Sequence, residues 1–239
     1  MSTQSDQMIS LMEENNIKLN VKQVSQFMKY YEMLVETNKV MNLTAITDFD
    51  EVIVKHFADS LTLSRVCDLN KPLSIIDVGT GAGFPGIPLK IAFPELKITL
   101  LDSLNKRVGF LNKVIETLEL EDIHAIHSRA EDAGRDKAHR EQYDLCVSRA
   151  VANLSTLSEY CLPFVHIGGA FVSYKSQKAS EELDTAKRAI KILGGQVKQC
   201  DTFNLNNSDM ERSLVVIEKI KTTGKSYPRK AGKPSKEPL

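Results

Sequence analysis

The chain has no excess of charge of either sign. Its 239 residues include 31 lysines and arginines against 31 aspartates and glutamates, so no global field draws it toward nucleic acid. It also lacks any run near the roughly 20 apolar residues that span a bilayer. The first residues carry Asp6, Glu13 and Glu14 with only Lys18 as an early base, unlike the basic region and apolar core of a secretory signal. A cytoplasmic location is the expectation. Cys67, Cys146, Cys161 and Cys200 form no CxxC pair and have no close histidine partner. They read as reduced, mostly buried thiols, which argues against a metal site. No internal repeat is visible. With 42% hydrophobic residues, the length suits one substantial core with a helical extension rather than two full domains.

What the chain does have is an ordered alternation of patterns. Met8, Leu11 and Met12, then Val21, Val24, Phe27, Met28, Tyr31, Leu34 and Val35 recur at helical spacing, which predicts two amphipathic helices between residues 5 and 40. A further helix is expected over 51–66. Strands are expected at 73–78, 96–101, 122–127, 143–148 and 170–174, with helices at 86–93 and 104–118 between the first three. A helix over 178–193 and a hairpin of strands at 196–203 and 214–220 follow. Strands alternating with helices imply a parallel sheet covered on both faces, with ligands at the carboxyl ends of the strands. The pattern divides the chain into a helical extension (1–68), an α/β domain (69–221) and a basic tail (222–239).

The most informative segment is Ser74-Ile75-Ile76-Asp77-Val78-Gly79-Thr80-Gly81-Ala82-Gly83-Phe84-Pro85-Gly86. It reads as a buried strand, a glycine turn and a helix start, and so as a nucleotide-like cofactor site. Gly79, Gly81 and Gly83 permit positive φ and a close approach of backbone to ligand. A dinucleotide turn places its third glycine three residues after the second, whereas Gly83 follows Gly81 by two. Asp77, at the strand end, suits a ligand with a cationic amino-acid part, as in S-adenosylmethionine. The next strand ends in Asp102, 21 residues after Gly81, close to the ~20-residue interval at which an acidic side chain meets ribose hydroxyls. That interval alone fits a nicotinamide cofactor equally well.

These residues carry a family resemblance. The segment Asp77 to Pro88, followed by Leu100-Leu101-Asp102-Ser103-Leu104-Asn105-Lys106-Arg107, resembles the ribosomal small-subunit (16S) RNA guanine-N7 methyltransferases, also called glucose-inhibited division protein B. The likeness runs through Met41-Asn42-Leu43-Thr44, Lys55-His56-Phe57-Ala58-Asp59-Ser60-Leu61, Arg129-Ala130-Glu131 and Ser148-Arg149-Ala150-Val151-Ala152, and closes with Tyr227-Pro228-Arg229-Lys230-Ala231-Gly232-Lys233-Pro234. One departure stands after Tyr174-Lys175, where the family commonly has glycine and this chain has Ser176-Gln177. The resemblance implies an α/β, Rossmann-like class I S-adenosylmethionine-dependent methyltransferase with a seven-stranded, mostly parallel sheet and an N-terminal helical extension. It implies S-adenosylmethionine as cofactor and small-subunit ribosomal RNA, or a ribosomal particle, as partner.

On that resemblance, Asp77, Gly79, Gly81 and Gly83 would face the methionine part, with Phe84 covering its flank. Asp102, Ser103 and Leu104 would hold the ribose and adjoin the adenine, Ala130 and Glu131 would meet the adenine, and Arg149 would contact the cofactor. Asn42, His56, Asp59 and Ser60 are candidates for the RNA entrance, and Lys175 for a phosphate. Packing is the competing reading for Phe84, a helix-start charge for Glu131 and a cap for the polar residues near helix ends. The tail gathers Lys219, Lys221, Lys225, Arg229, Lys230, Lys233 and Lys236 against Glu237 alone. An extended segment of this kind lies along phosphates and offers Tyr227 for stacking, with Arg229, Lys230 and Lys233 as RNA contacts, or else is a solvated terminus. Two other classes fit parts of the pattern: a noncatalytic RNA-binding protein on a methyltransferase fold, and a nicotinamide-dependent oxidoreductase on a similar sheet.

Overall fold

Apolar and β-branched runs pair into one sheet. In the computed structural model, which describes residues 3–149, 152–177 and 179–239, the strands are β1 (Ser74–Val78), β2 (Lys97–Asp102), β3 (Ile123–His127), β4 (Tyr143–Arg149), β5 (Val165–Lys175), β6 (Gly195–Asn204) and β7 (Glu211–Lys219). Their order is β3-β2-β1-β4-β5-β7-β6. β1 to β5 run parallel, and β7 enters antiparallel between β5 and β6. The order reverses at β1, where β2 lies on one side and β4 on the other, so a crevice opens beyond their carboxyl ends. Asp102, Arg149 and Lys175 end β2, β4 and β5 on that edge. The antiparallel pairing of Lys175 with Ser213 adds Arg212 from β7.

The helices are α1 (Thr3–Glu14), α2 (Val21–Met41), α3 (Phe49–Val52), α4 (Asp59–Leu61), α5 (Gly86–Ala92), α6 (Asn105–Thr117), α7 (Ala130–Ala133), α8 (Leu154–Cys161), α9 (Ala179–Ile192) and α10 (Lys233–Lys236). The expected helix over 51–66 is composite. A π-helical stretch, Ile53–Ala58, joins α3 to α4, and a 3-10 turn, Thr62–Arg65, ends it. The expected strands and helices of the α/β part are present. Sequence reading met α7 only as the alternative of a helix-start charge at Glu131, missed α8 and α10, and began β5 at Ala170 and β7 at Leu214. Lys178, expected to open the helix to Leu193, and Ala150 and Val151 of the matched motif lie outside the described residues. Among the described residues, no helix is long and apolar enough to cross a membrane.

The N-terminal helices share the core of the sheet. Asn20 and Gln23 form a reciprocal capping box at the start of α2, with bonds of 2.9 and 2.8 Å, a device worth about 1 kcal/mol. The Gln23 amide also donates to the carbonyls of Ile91 and Ala92 at the end of α5. Val24, Phe27, Tyr30 and Leu34 form the buried face of α2, and they join Met8, Phe57, Phe84, Ile87 and Leu100 in one apolar cluster. The helical extension is therefore one wall of the α/β core, a continuity that local periodicity does not reveal.

The tail departs furthest from expectation. It folds back over α7 and α8 instead of extending. Arg140 donates to the carbonyls of Thr223, Gly224 and Tyr227, Arg135 to that of Pro228, and Thr156 to that of Pro234. Tyr227 is half-buried against an apolar cluster, so it does not stand out for stacking. Arg229 is likewise engaged, clasping both carboxylate oxygens of the fully buried Glu159 at 2.7 to 3.1 Å. Lys230 and Lys233 remain exposed. The sequence pattern could not show this because its acidic partners, Glu131, Glu141 and Glu159, sit about 70 to 100 residues upstream.

Arg229→Met would strand the Glu159 carboxylate in an apolar setting, at a cost of roughly 3–5 kcal/mol. Urea unfolding should show a loss of that order, and a loss below about 1 kcal/mol would show that the pair does not anchor the tail.

Candidate functional site

The glycine turn is held closed by hydrogen bonds to Asp77, Asp102 and Tyr30. Gly79, Gly81 and Gly83 have φ of 73°, 63° and 107°, values that L side chains rarely adopt. One oxygen of Asp77 accepts from the Thr80 hydroxyl at 2.6 Å and the Gly86 amide at 2.9 Å. Asp77 is fully buried, and burial pushes its carboxyl up to about 6. It thus staples the turn from behind and does not line the cavity in front of it. At Gly83 an added Cβ would lie 2.4 Å from Ile87 and 2.9 Å from the Tyr30 hydroxyl. That hydroxyl donates to the Ala82 carbonyl at 2.6 Å, so α2 braces the turn. At Gly81 an added Cβ would meet nothing within 4 Å.

In front of the turn lies a cavity of about 500 Å³, lined by Gly79, Thr80, Gly81, Phe84, Asp102, Ser103, Leu104 and Arg107, with Thr44, His56 and Arg149 closing one side. Asp102 accepts from the Gly81 amide at 3.0 Å and the Leu104 amide at 2.8 Å, and Arg107 lies 3.5 Å from it. Leu104 is 42% exposed, an unusual position for a large apolar side chain beside two charged groups. The donor set fits S-adenosylmethionine. Gly81 leaves room for a ligand that a Cβ would fill, Asp102 presents a carboxylate at the second strand end, and Leu104 offers an apolar face. Among the described residues, no group of three or more histidines, cysteines or carboxylates is arranged to hold a metal ion.

The remaining expected residues fall elsewhere. Asn42 is the exposed left-handed C-cap of α2, with φ of 49°, and it lines neither this cavity nor the one beside it. Ala130 opens α7, and the Glu131 carboxylate turns away to accept from the Gly232 amide of the tail at 2.8 Å. Ser60 is fully buried and donates to the His56 carbonyl.

His56 and Arg149 form a partition. Beyond them lies a second cavity of about 600 Å³, whose lining includes Asp59, Lys175, Glu182 and Arg212. The His56 ring stacks on Phe84 with centroids 4.5 Å apart, and the Arg149 guanidinium lies 5.1 Å from the same ring. Arg149 and Arg212 each take one oxygen of Asp59, at 2.8 and 3.0 Å. Arg149 also approaches His56 Nδ1 at 3.4 Å, while Nε2 lies 2.8 Å from the Thr44 hydroxyl. A guanidinium can only donate, which assigns the ring proton to Nε2. Burial, and then the Arg149 charge, push His56 down to about 4. Sequence reading had not singled out Tyr30, Thr44, Arg107, Glu182 or Arg212. Thr44 and Arg107 lay inside the matched motifs, whereas the other three carry no local signal.

A sheet of this order with antiparallel β7 and a glycine turn after β1 defines the class I S-adenosylmethionine-dependent methyltransferase fold. A structure of such an enzyme from Aquifex aeolicus superposes with a TM-score of 0.56 at 15% identity, covering 75% of this chain and 97% of its own. A geranyl diphosphate C-methyltransferase from Streptomyces coelicolor, solved with S-adenosyl-L-homocysteine, gives 0.52 at 11% identity over 68% and 79%. Residues 23–215 match the family model described as rRNA small subunit methyltransferase G, and the chain belongs to that family. A protein named ribosomal RNA small subunit methyltransferase G from Lachnoclostridium phytofermentans is 54% identical over 92% of this chain and 91% of its own. Its namesake from Bacillus cereus is 50% identical over 98% of each.

Asp102→Ala should weaken S-adenosylhomocysteine binding by on the order of 1.5–3 kcal/mol through loss of a charged acceptor. Gly81→Val should do worse, since its side chain would enter the cavity on a left-handed backbone. Calorimetry on folded variants decides, and unchanged dissociation constants would remove the cavity's assignment. Stability should carry opposed pH dependences. The unfolded state binds more protons at His56 between pH 4 and 6.5, so stability there is lost as pH falls. Asp77 acts oppositely, because its raised value costs stability as pH climbs from 3.8 to about 6. Asp77→Asn should therefore steepen the acid loss seen in urea midpoints, and an unchanged slope would contradict the burial of that carboxyl.

Proposed function

We propose that the protein transfers a methyl group from S-adenosylmethionine to N7 of a guanosine in small-subunit ribosomal RNA. The observation that carries this reading is the partition. In a chain of the rRNA small subunit methyltransferase G family, the cavity fitted to the cofactor and a second cavity share His56 and Arg149.

When bound, S-adenosylmethionine supplies an electrophilic methyl group, and the positive charge of its sulfonium passes to the purine. Asp102 would accept from the ribose hydroxyls, the glycine turn would let the backbone approach the methionine part, and Leu104 would lie against the adenine. Phe84 and the neutral His56 ring exclude water from the partition, so rate is gained through orientation and desolvation. Guanine N7 attacks with a lone pair and has no proton to lose. The chemistry therefore needs no general base. The groups at the partition agree: the His56 ring nitrogens face Thr44 and Arg149, and both Asp59 oxygens are held by arginines.

Labelled methyl transfer into small-subunit RNA, followed by strand scission specific for 7-methylguanosine, tests the assignment directly. The single-turnover rate should be flat between about pH 6 and 9, because N7 needs no deprotonation and His56 titrates near 4. His56→Ala should slow transfer through lost positioning yet keep the flat profile. A rate that climbs tenfold per pH unit and vanishes in that variant would identify a required base and remove the N7 assignment.

A further inference from the structure

The second cavity contains more chemistry than the transfer step uses. Lys175 and Glu182 line it without lining the cofactor cavity. They form an ion pair of 2.7 Å, with the lysine side chain only 9% exposed. Lys175 also donates to the Ala152 carbonyl at 2.7 Å. The same Glu182 oxygen, Oε2, accepts from the Leu154 amide at 2.7 Å. Two independent elements, the end of β5 and the start of α8, thus fix a carboxylate carried by the first turn of α9.

We infer that the second cavity takes the target guanine flipped out of its stack, and that Glu182 reads its N1–H and exocyclic amine. The inference rests on the methyl-transfer reading above and adds the residue that selects the base. N7 can react only if the imidazole edge of the purine faces the partition, which turns the N1–H and N2 amine toward the walls belonging to this cavity alone. Those two donors lie side by side and require two acceptor lone pairs, which a single unengaged carboxylate oxygen can supply. Two carboxylates line the cavity, and both oxygens of Asp59 are committed to Arg149 and Arg212. At Glu182 both contacts among the described residues fall on Oε2. Adenine in the same orientation would present the bare N1 lone pair to a carboxylate, a repulsive contact, and would lack the N2 amine. Reading a flipped base along its Watson–Crick edge is a general solution where the reacting atom is inaccessible in the stack. A site built to bond a substrate N–H discriminates strongly against an analogue that lacks it, because the acceptor of the site is then left unpaired.

The test uses the full chain and a small-subunit transcript ligated to carry either guanosine or inosine at the position where methylation is mapped. Inosine keeps N7 and N1–H and lacks only the amine. Wild-type protein should prefer guanosine by about 10- to 100-fold in kcat/KM, as expected for a hydrogen bond to a charged group. Glu182→Gln should lower guanosine turnover by a similar factor, shrink the preference below about threefold, and leave S-adenosylhomocysteine affinity unchanged. Glu182→Asp, which retains the carboxylate, should keep the preference at a reduced rate and serves if the amide variant does not fold. Undiminished discrimination in Glu182→Gln would overturn the assignment of this residue while leaving the methyl-transfer reading intact. Failure of wild-type protein to methylate any guanine N7 would instead overturn that reading, and the base pocket with it.

Discussion

The ion pair between Arg149 and Asp59 is the constraint on which the site depends. Arg149 ends β4, at the reversal of strand order, and Asp59 belongs to the composite helix that precedes the sheet. Desolvating two charges offsets most of their attraction, so a buried pair of this kind adds little net stability over apolar packing. Its consequence is positional. Held at 2.8 Å, it fixes the guanidinium beside Phe84 and His56, and that placement turns one crevice into two cavities. Arg212, on the other Asp59 oxygen, ties β7 into the same cluster. Three segments far apart in sequence therefore meet on one carboxylate.

The N-terminal helices complete what the sheet leaves open. The sheet supplies a glycine turn, two acidic strand ends and, through Asp77, one staple behind the turn, but no support on the side of Gly83 and Ala82. Here Tyr30 supplies that support through its bond to the Ala82 carbonyl and its ring contacts with Phe57 and Phe84. The aromatic chain from Phe27 through Phe57 and Phe84 to His56 runs from the core of the extension to the partition. A well-oriented aromatic pair adds about 0.5–1.5 kcal/mol beyond the area it buries. The packing that stabilises the extension also orients the imidazole.

Legibility in the sequence followed interaction range. The α/β alternation and the glycine turn are local, and both were readable because apolar period and φ requirement act over a few residues. Asp102 was readable because a strand, helix and strand have nearly fixed length. The role of Asp77 was not: its position before the turn suggested a ligand contact, whereas its bonds to Thr80 and Gly86 run inward. Arg212 was invisible because its partner Asp59 lies 153 residues away, and Glu182 because, although its ion-pair partner Lys175 is near in sequence, its second bond reaches Leu154, 28 residues upstream. The tail shows the same limit, since its basic composition is local information and its docking onto Glu131 and Glu159 is not.

Charge neutrality over the whole chain conceals a directional arrangement. Arg229 spends its charge inside the fold on Glu159, and the Gly232 amide is held by Glu131, so the backbone of the tail is fixed while Lys225, Lys230, Lys233 and Lys236 stay exposed. Four cations on an ordered ribbon lose less conformational freedom on meeting phosphates than the same four on a free terminus, because part of the ordering is complete before association. A neutral protein can thus bind a polyanion without a global field, through a local basic surface whose shape is set by buried acidic residues. The buried glutamates near α7 and α8 thus set the shape of an exposed basic ribbon although they lie inside the fold.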